Sequence, residues 1–311
     1  MVNKRINKGY PWLAVLLLFA GRAWGGALPL GEARALFDMD GGAATRLLLP
    51  SDVATAGDRV YVVDGGNHRV AVFDRQGKYL FAMGRKGQGP GELSAPVGIA
   101  LDGRGRVYVA DRGNGRIQIF DSAGKPVRSL RLRHRDGGPV RPVDVAVEAD
   151  GQLLYITSND QHNVLTVDSA GRLVREWGSN GAEQGEFRYP ATIAFTGDGK
   201  LAITDVLNTR IQLFEKNGRF LVQIGRWGVL PGQLFRPKGI AVDRRGHLLI
   251  SDSYLGVIQV FTDDGRFLHV LGSNKRPHRL GTPVGMSVDE ENRLYVVRMQ
   301  ENRVSVFALG N

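Results

Sequence analysis

Two aspartates, Asp52 and Asp144, each stand two residues after a proline, Pro50 and Pro142, in a short apolar stretch. The matching positions after Pro96, Pro190, Pro237 and Pro283 are Gly98, Thr192, Gly239 and Gly285, with Lys238 beside one of them. Carboxylates and a hydroxyl brought together in this way are the oxygen ligands that a hard cation such as calcium takes. The competing reading is that both carboxylates only hydrogen-bond neighbouring backbone or water. His68 and His162 share one register of the same frame, but the position that would add a third ligand is Gly256, and a zinc site usually needs at least three protein ligands. His134, His247, His269 and His278 share no register. There is no nucleophile elbow, no phosphate-cradling loop opening a helix and no His-Glu metal motif; the Gly-rich stretch at 84–96 leads into a strand. No cofactor is therefore expected, with calcium or zinc as the ions these groups could hold.

The elements that must position these residues recur with a period of 47: YVVDGGNHRVAVFD from Tyr61, YVADRGNGRIQIFD from Tyr108 and YITSNDQHNVLTVD from Tyr155. The register continues from Ala202 and Leu249, and from Tyr295 one residue short of a full period. The landmark prolines are 46, 46, 48, 47 and 46 residues apart. Each repeat reads as a Pro-led strand, a turn such as 102–105, a second strand, a short loop, a third strand and a fourth after a Gly-containing turn. Four short strands joined by tight turns and repeated six times make an all-β, six-bladed β-propeller of four-stranded antiparallel blades. The chain ends just after the third strand of the sixth unit, whereas Ala33 to Gly41 reads as a spare fourth strand with its turn. We expect this N-terminal strand to complete the last blade and close the ring.

The Pro-x-Gly-Ile-Ala strand at Pro96, the Val-Tyr-Val-x-Asp-x-x-Asn-x-Arg-Ile hairpin that follows to Phe120, and the Gly-x-Gly-Pro-Gly-Glu-Leu loop at 84–93 together resemble the NHL repeat family. The resemblance spans residues 45–311 and returns at Asp205 to Phe214. It implies the propeller fold. Such propellers serve as RNA-binding, protein-binding, sensor and occasionally enzymatic modules, and some relatives hold a cation at the channel mouth, so function must come from the site.

Asp64 with Arg69, Asp111 with Arg116 and Asp205 with Arg210 flank the loop between strands two and three, and Asn67, Asn114 and Asn208 supply turn geometry. These read as self-satisfied corners of the scaffold. Repeat three has Ser158 and Asn163 instead, repeat five sets Val257 opposite Asp252, and repeat six has Arg298 where the acid belongs. Repeats three, five and six are therefore where this face could be specialised. That face surrounds the channel mouth, so Asp52, His68, Asp144, His162, Thr192 and Lys238 are the candidate binding residues. On the outer strand of the second blade, Leu130 and Leu132 alternate with Arg131, Arg133 and Arg135. This basic strip reads either as an edge protected from aggregation or as a dock for an acidic partner, helped by Lys275, Arg276 and Arg279. Trp177 and Trp227 lie near inter-blade loops, where they could stack on a ligand or pack between blades.

Residues 1–25 have the layout of a secretory signal peptide: Lys4, Arg5 and Lys8, an apolar run from Trp12 to Ala20, then small residues, with cleavage expected after Gly25 or Ala27. A run this short does not span a bilayer, although an uncleaved tether is the alternative. The domain is then 28–311. The chain carries +10, with 41 basic against 31 acidic residues; without Lys4, Arg5, Lys8 and Arg22 the balance is 37 to 31. The absence of cysteine removes disulfides, thiolate metal sites and covalent haem. We expect an exported, periplasmic or extracellular, non-enzymatic binding or scaffold propeller that contacts a protein or glycan of the cell envelope, with nucleic acid disfavoured. The alternative is a metal-dependent lyase or hydrolase with its cation at the channel mouth.

Overall fold

The structure is a computed structural model that describes residues 28–310; the signal-like segment lies outside the described residues. No helix of the described residues is long and apolar enough to cross a membrane. After β1 (Leu30–Met39), the first blade is built from β2 (Pro50–Ala56), β3 (Arg59–Asp64), β4 (Arg69–Asp74) and β5 (Tyr79–Met83), paired antiparallel in that order. The same meander returns at 96–131, 142–177, 190–224 and 237–273, and its first three strands return at 283–309. The innermost strands pack on one another around the ring, sixth on first included.

Closure follows the expected route. Ala33 to Met39 pairs antiparallel with the last strand of the chain, Arg303–Leu309, and so supplies the outer strand of blade six. The preceding residues, Leu30 to Glu32, run parallel to Val270 to Gly272 of blade five. One strand therefore ties both blades into a single sheet. Met39 and Ala33 are fully buried by this docking, and Asp38 accepts hydrogen bonds from Arg303 (2.9 Å) and Ser305 (2.6 Å).

Blades stack face to face, so the second and third strands of each are buried on both sides. Val60 to Asp64 and Val70 to Phe73 are all buried. Their sequences accordingly run apolar residue after residue, whereas an outer strand such as Pro126–Arg131 is mostly exposed. The recurrent glutamine of the third strands is one exception. Buried Gln118, Gln212 and Gln259 accept from the amides of Gly91, Gly185 and Gly232, anchoring the Gly-rich inter-blade loops.

Candidate functional site at the channel mouth

Each innermost strand begins irregularly. Pro96 pairs with Asp111, but regular pairing resumes only at Ile99 with Val109, and the other five strands show the same register shift. A proline offers no amide hydrogen, so the strand starts as a bulge and its first residues turn toward the central channel. Polar groups there then reach across to the next blade. Asp52 accepts from its neighbour Val53 (2.9 Å) and from Ile99 of blade two (3.0 Å). Asp144 repeats this with Val145 (2.8 Å) and Ile193 of blade four (2.9 Å). Hydroxyls do the complementary work: Ser51 donates to the carbonyl of Val97, Thr157 to Ala191, Thr204 to Lys238 and Ser251 to Val284. Gly98 and Gly285 are required where they stand, because a Cβ on either would lie 2.2 Å from the carboxylate of Asp144 or Asp52.

Asp52, Asp144, Thr192 and Lys238 line one cavity of about 270 Å³ with Asn159, Tyr189, Ser253 and an apolar wall of Val97, Val143, Val206, Val284 and Met299. Of the six mouth candidates, the structure brings these four together. Asp52 keeps a partial opening to the cavity, yet the protein around it disfavours charge and pushes its carboxyl up to about 7. Asp144 is buried and is raised well above the usual carboxylate range, by that burial first and by the charge of Asp52 second. Here both oxygens of each carboxylate already accept a backbone amide, and the described residues contain no group of three or more His, Asp or Glu side chains placed to hold a metal. Asp52 and Asp144 are the carboxylates that the cavity offers, with Thr192 as a neutral oxygen.

His68 and His162 lie outside this cavity. Both adopt left-handed backbone (φ 55° and 54°), and each Nδ1 accepts from an amide at 3.0 Å, that of Ala95 or Tyr189, the residue before the next landmark proline. Ala95 and Tyr189 are themselves left-handed. Asn302 occupies the same position in blade six and accepts from left-handed Leu49 at 2.7 Å. The shared histidine register is thus a loop clasp.

The corners in blades one, two and four form as expected, with Asp–Arg distances of 2.7–2.8 Å and each carboxylate fully buried. Each acid also accepts an amide from the inter-blade loop, and each guanidinium donates to carbonyls of that loop. In blade five, Asp252 replaces the arginine with the amides of Phe235, Arg236, Tyr254 and Leu255. Blades three and six move the acid to the outer strand: Glu176 in one, Asp38 of β1 in the other. In blade three the base moves as well. His134, from the inter-blade loop, meets Glu176 at 2.5 Å in a nearly sealed pocket, and Asn163 and the amide of Arg135 donate to the same carboxylate at 2.7 Å. His134 Nε2, Ser158 Oγ and Asn163 Oδ1 are buried there without a partner among the described residues. The sequence carried no periodic signal for His134 and Glu176, since they are departures from the repeat.

Arg131, Arg133 and Arg135 point outward while Leu130 and Leu132 are buried, as the alternation requires. Trp177 packs on Phe187 and Phe214, whereas Trp227 is 70% exposed.

A family model described as a 6-bladed beta-propeller matches residues 46–176. RING finger protein nhl-1 of Caenorhabditis elegans is 38% identical over 71 residues, 22% of this chain and 7% of that protein. These matches support a six-bladed β-propeller whose repeats are similar to those of the NHL type. Among solved structures, a streptogramin B lyase superposes on the propeller with a TM-score of 0.63 at 13% identity, covering 88% of this chain and 98% of that one. A catalytically inactive virginiamycin B lyase from Staphylococcus aureus with quinupristin gives 0.59 at 15% identity, covering 88% and 83%. At such identities the likeness is one of fold, and the propeller's chemistry has to be read from its own residues.

Proposed function

We propose that this propeller is an exported binding or scaffold module that engages a protein or glycan of the cell envelope through its channel-mouth face. The observation that carries the reading is the division of labour at the mouth. Asp52 and Asp144, the groups best suited to chemistry, are spent stapling blades together. What the cavity still offers is recognition: the ammonium of Lys238, with no hydrogen bond or ion pair among the described residues, the hydroxyl of Thr192, Tyr189 and the apolar wall. The signal-like N-terminal segment supports export. The test is a photo-crosslinking residue placed in the native host at Thr192, and separately at Arg104 in a turn on the opposite face. A discrete adduct from Thr192 alone is expected; equal adducts from both sites, or none from Thr192, would overturn the reading.

The second reading is a lyase or hydrolase, prompted by the lyases that share the fold and by a carboxyl near 7 beside a cavity. Elemental analysis of protein purified without chelators separates the two. Near-stoichiometric calcium or zinc, lost on Asp52→Ala with Asp144→Ala, would favour the enzyme.

A further inference from the structure

The mouth is not equally furnished all round. In the sector of blades four and five, Arg188, Arg226 and Arg236 are exposed, Lys238 is half-buried, and none has an acidic partner among the described residues. Exposed arginines without an acidic partner also occur elsewhere, as at Arg131, Arg133 and Arg135; what sets this sector apart is that its cations stand beside exposed aromatics. Of the acids of this sector, Asp205 is engaged by Arg210, Asp252 by backbone amides and Glu186 by the amide of Glu183, while Glu183 is exposed. Lys238 is held below its ordinary range by burial and then by Arg236, so the two cations sit close with no counter-charge between them.

The same sector carries exposed aromatic surface. Phe235 and Tyr254 are stacked, their centroids 4.2 Å apart and their planes 25° apart, and Trp227 lies 6.4 Å from Phe235. On the blade-four side are Tyr189, 49% exposed, and Leu207, 52% exposed, whose amide donates to the carbonyl of Arg188. The halves meet at the cavity, which Tyr189 and Val206 line from one side and Lys238 and Ser253 from the other. Tryptophan, tyrosine and arginine are the residues that dominate binding energy at protein interfaces, and guanidinium forks match carboxylates in geometry.

We propose that this sector docks an acidic polypeptide segment, its carboxylates meeting Arg188, Arg226 and Arg236 and one aromatic or aliphatic side chain entering the cavity beside Lys238. This rests on the binding reading above and narrows it to a protein partner. The unpaired cations favour a partner with negative charge. An apolar wall of valines and Met299 suits a side chain better than the hydroxyls of a sugar.

The test uses the full chain and fluorescence anisotropy with a labelled copolymer of glutamate and tyrosine. Polyglutamate, a lysine–tyrosine copolymer and polygalacturonate serve as comparison probes, at low and high salt. The glutamate–tyrosine copolymer should bind at least tenfold tighter than each of the others and weaken with salt. Trp227→Ala with Tyr254→Ala, and separately Arg188→Gln with Arg236→Gln, should each cost tenfold or more, while Arg104→Gln changes nothing. Lys238→Gln, a single change at the cavity, should weaken the copolymer more than polyglutamate. Equal binding of polyglutamate or polygalacturonate, unchanged binding in the variants, or no binding of the copolymer would each overturn the proposal. A crosslink at Thr192 would still stand in those cases, so the two failures are distinguishable.

Discussion

Replacing Asp52 by asparagine should change how stability depends on pH, and the structure sets both sign and size. Burial raises this carboxyl from 3.8 to about 7. A raised acid favours the folded state fully below its unfolded value, and that contribution is lost as pH rises through the folded one. Integrated between pH 5 and pH 8, the loss for a single such group is about 2–3 kcal/mol. Asp144, raised in the same direction, adds to it. Asparagine cannot ionise, but its single acceptor oxygen serves only one of the two amides, of Val53 and Ile99, a pH-independent cost of about 1–2 kcal/mol. Asp52→Asn should therefore gain about 2–3 kcal/mol on the parent between pH 5 and pH 8, ending more stable than it at pH 8. Urea unfolding at each unit from pH 5 to pH 8 gives the comparison, and the difference between the two proteins cancels groups that titrate in both, such as His269. Parallel curves across this range would refute the argument that the mouth carboxylates are driven toward the neutral form.

Other outcomes follow from the same geometry. Starting the chain at residue 46 removes β1 with its buried Met39 and Ala33, exposes the edge of the last strand and uncovers neighbours such as Val304, Val306 and Phe307; at about 2 kcal/mol for one such side chain and more for the rest, thermal scans should show Tm lower by roughly 10 °C or more. An unchanged Tm would mean that the ring does not depend on this strand. His134→Ala strands Glu176 in a nearly sealed pocket and should cost about 3 kcal/mol in chemical denaturation, with Glu176→Leu added to it recovering part of the loss. His68→Ala should cost about 0.5–1.5 kcal/mol through the lost hydrogen bond from the amide of Ala95. His68→Asn should recover most of that, because Asn302 makes the same clasp in blade six; no recovery would show that the ring matters for packing and not for its Nδ1.

Much of this molecule was legible in its sequence because the repeat samples the same physics six times. A proline begins each of the six inner strands, and the acid that meets its arginine returns in register in three of the blades. The spare strand at Ala33 could be recognised for the same reason, since a blade three strands wide leaves an edge that something must cover. The mouth residues were legible as positions, because all of them keep the register of the landmark prolines.

What they do there was decided only by the tertiary structure. Whether Asp52 is a ligand or a staple depends on where Ile99, 47 residues away, presents its amide. Whether His68 and His162 converge on a metal depends on the left-handed turn that aims each ring at a neighbouring loop. His134 with Glu176, and the exposed aromatics beside unpaired Arg188 and Arg236, break the period and join residues from different blades. The sequence by itself determined the local pattern, since strand, turn and register follow from neighbours along the chain. Only the closed ring decided the site, because burial, charge and hydrogen-bond partners there are set by blades that meet in space.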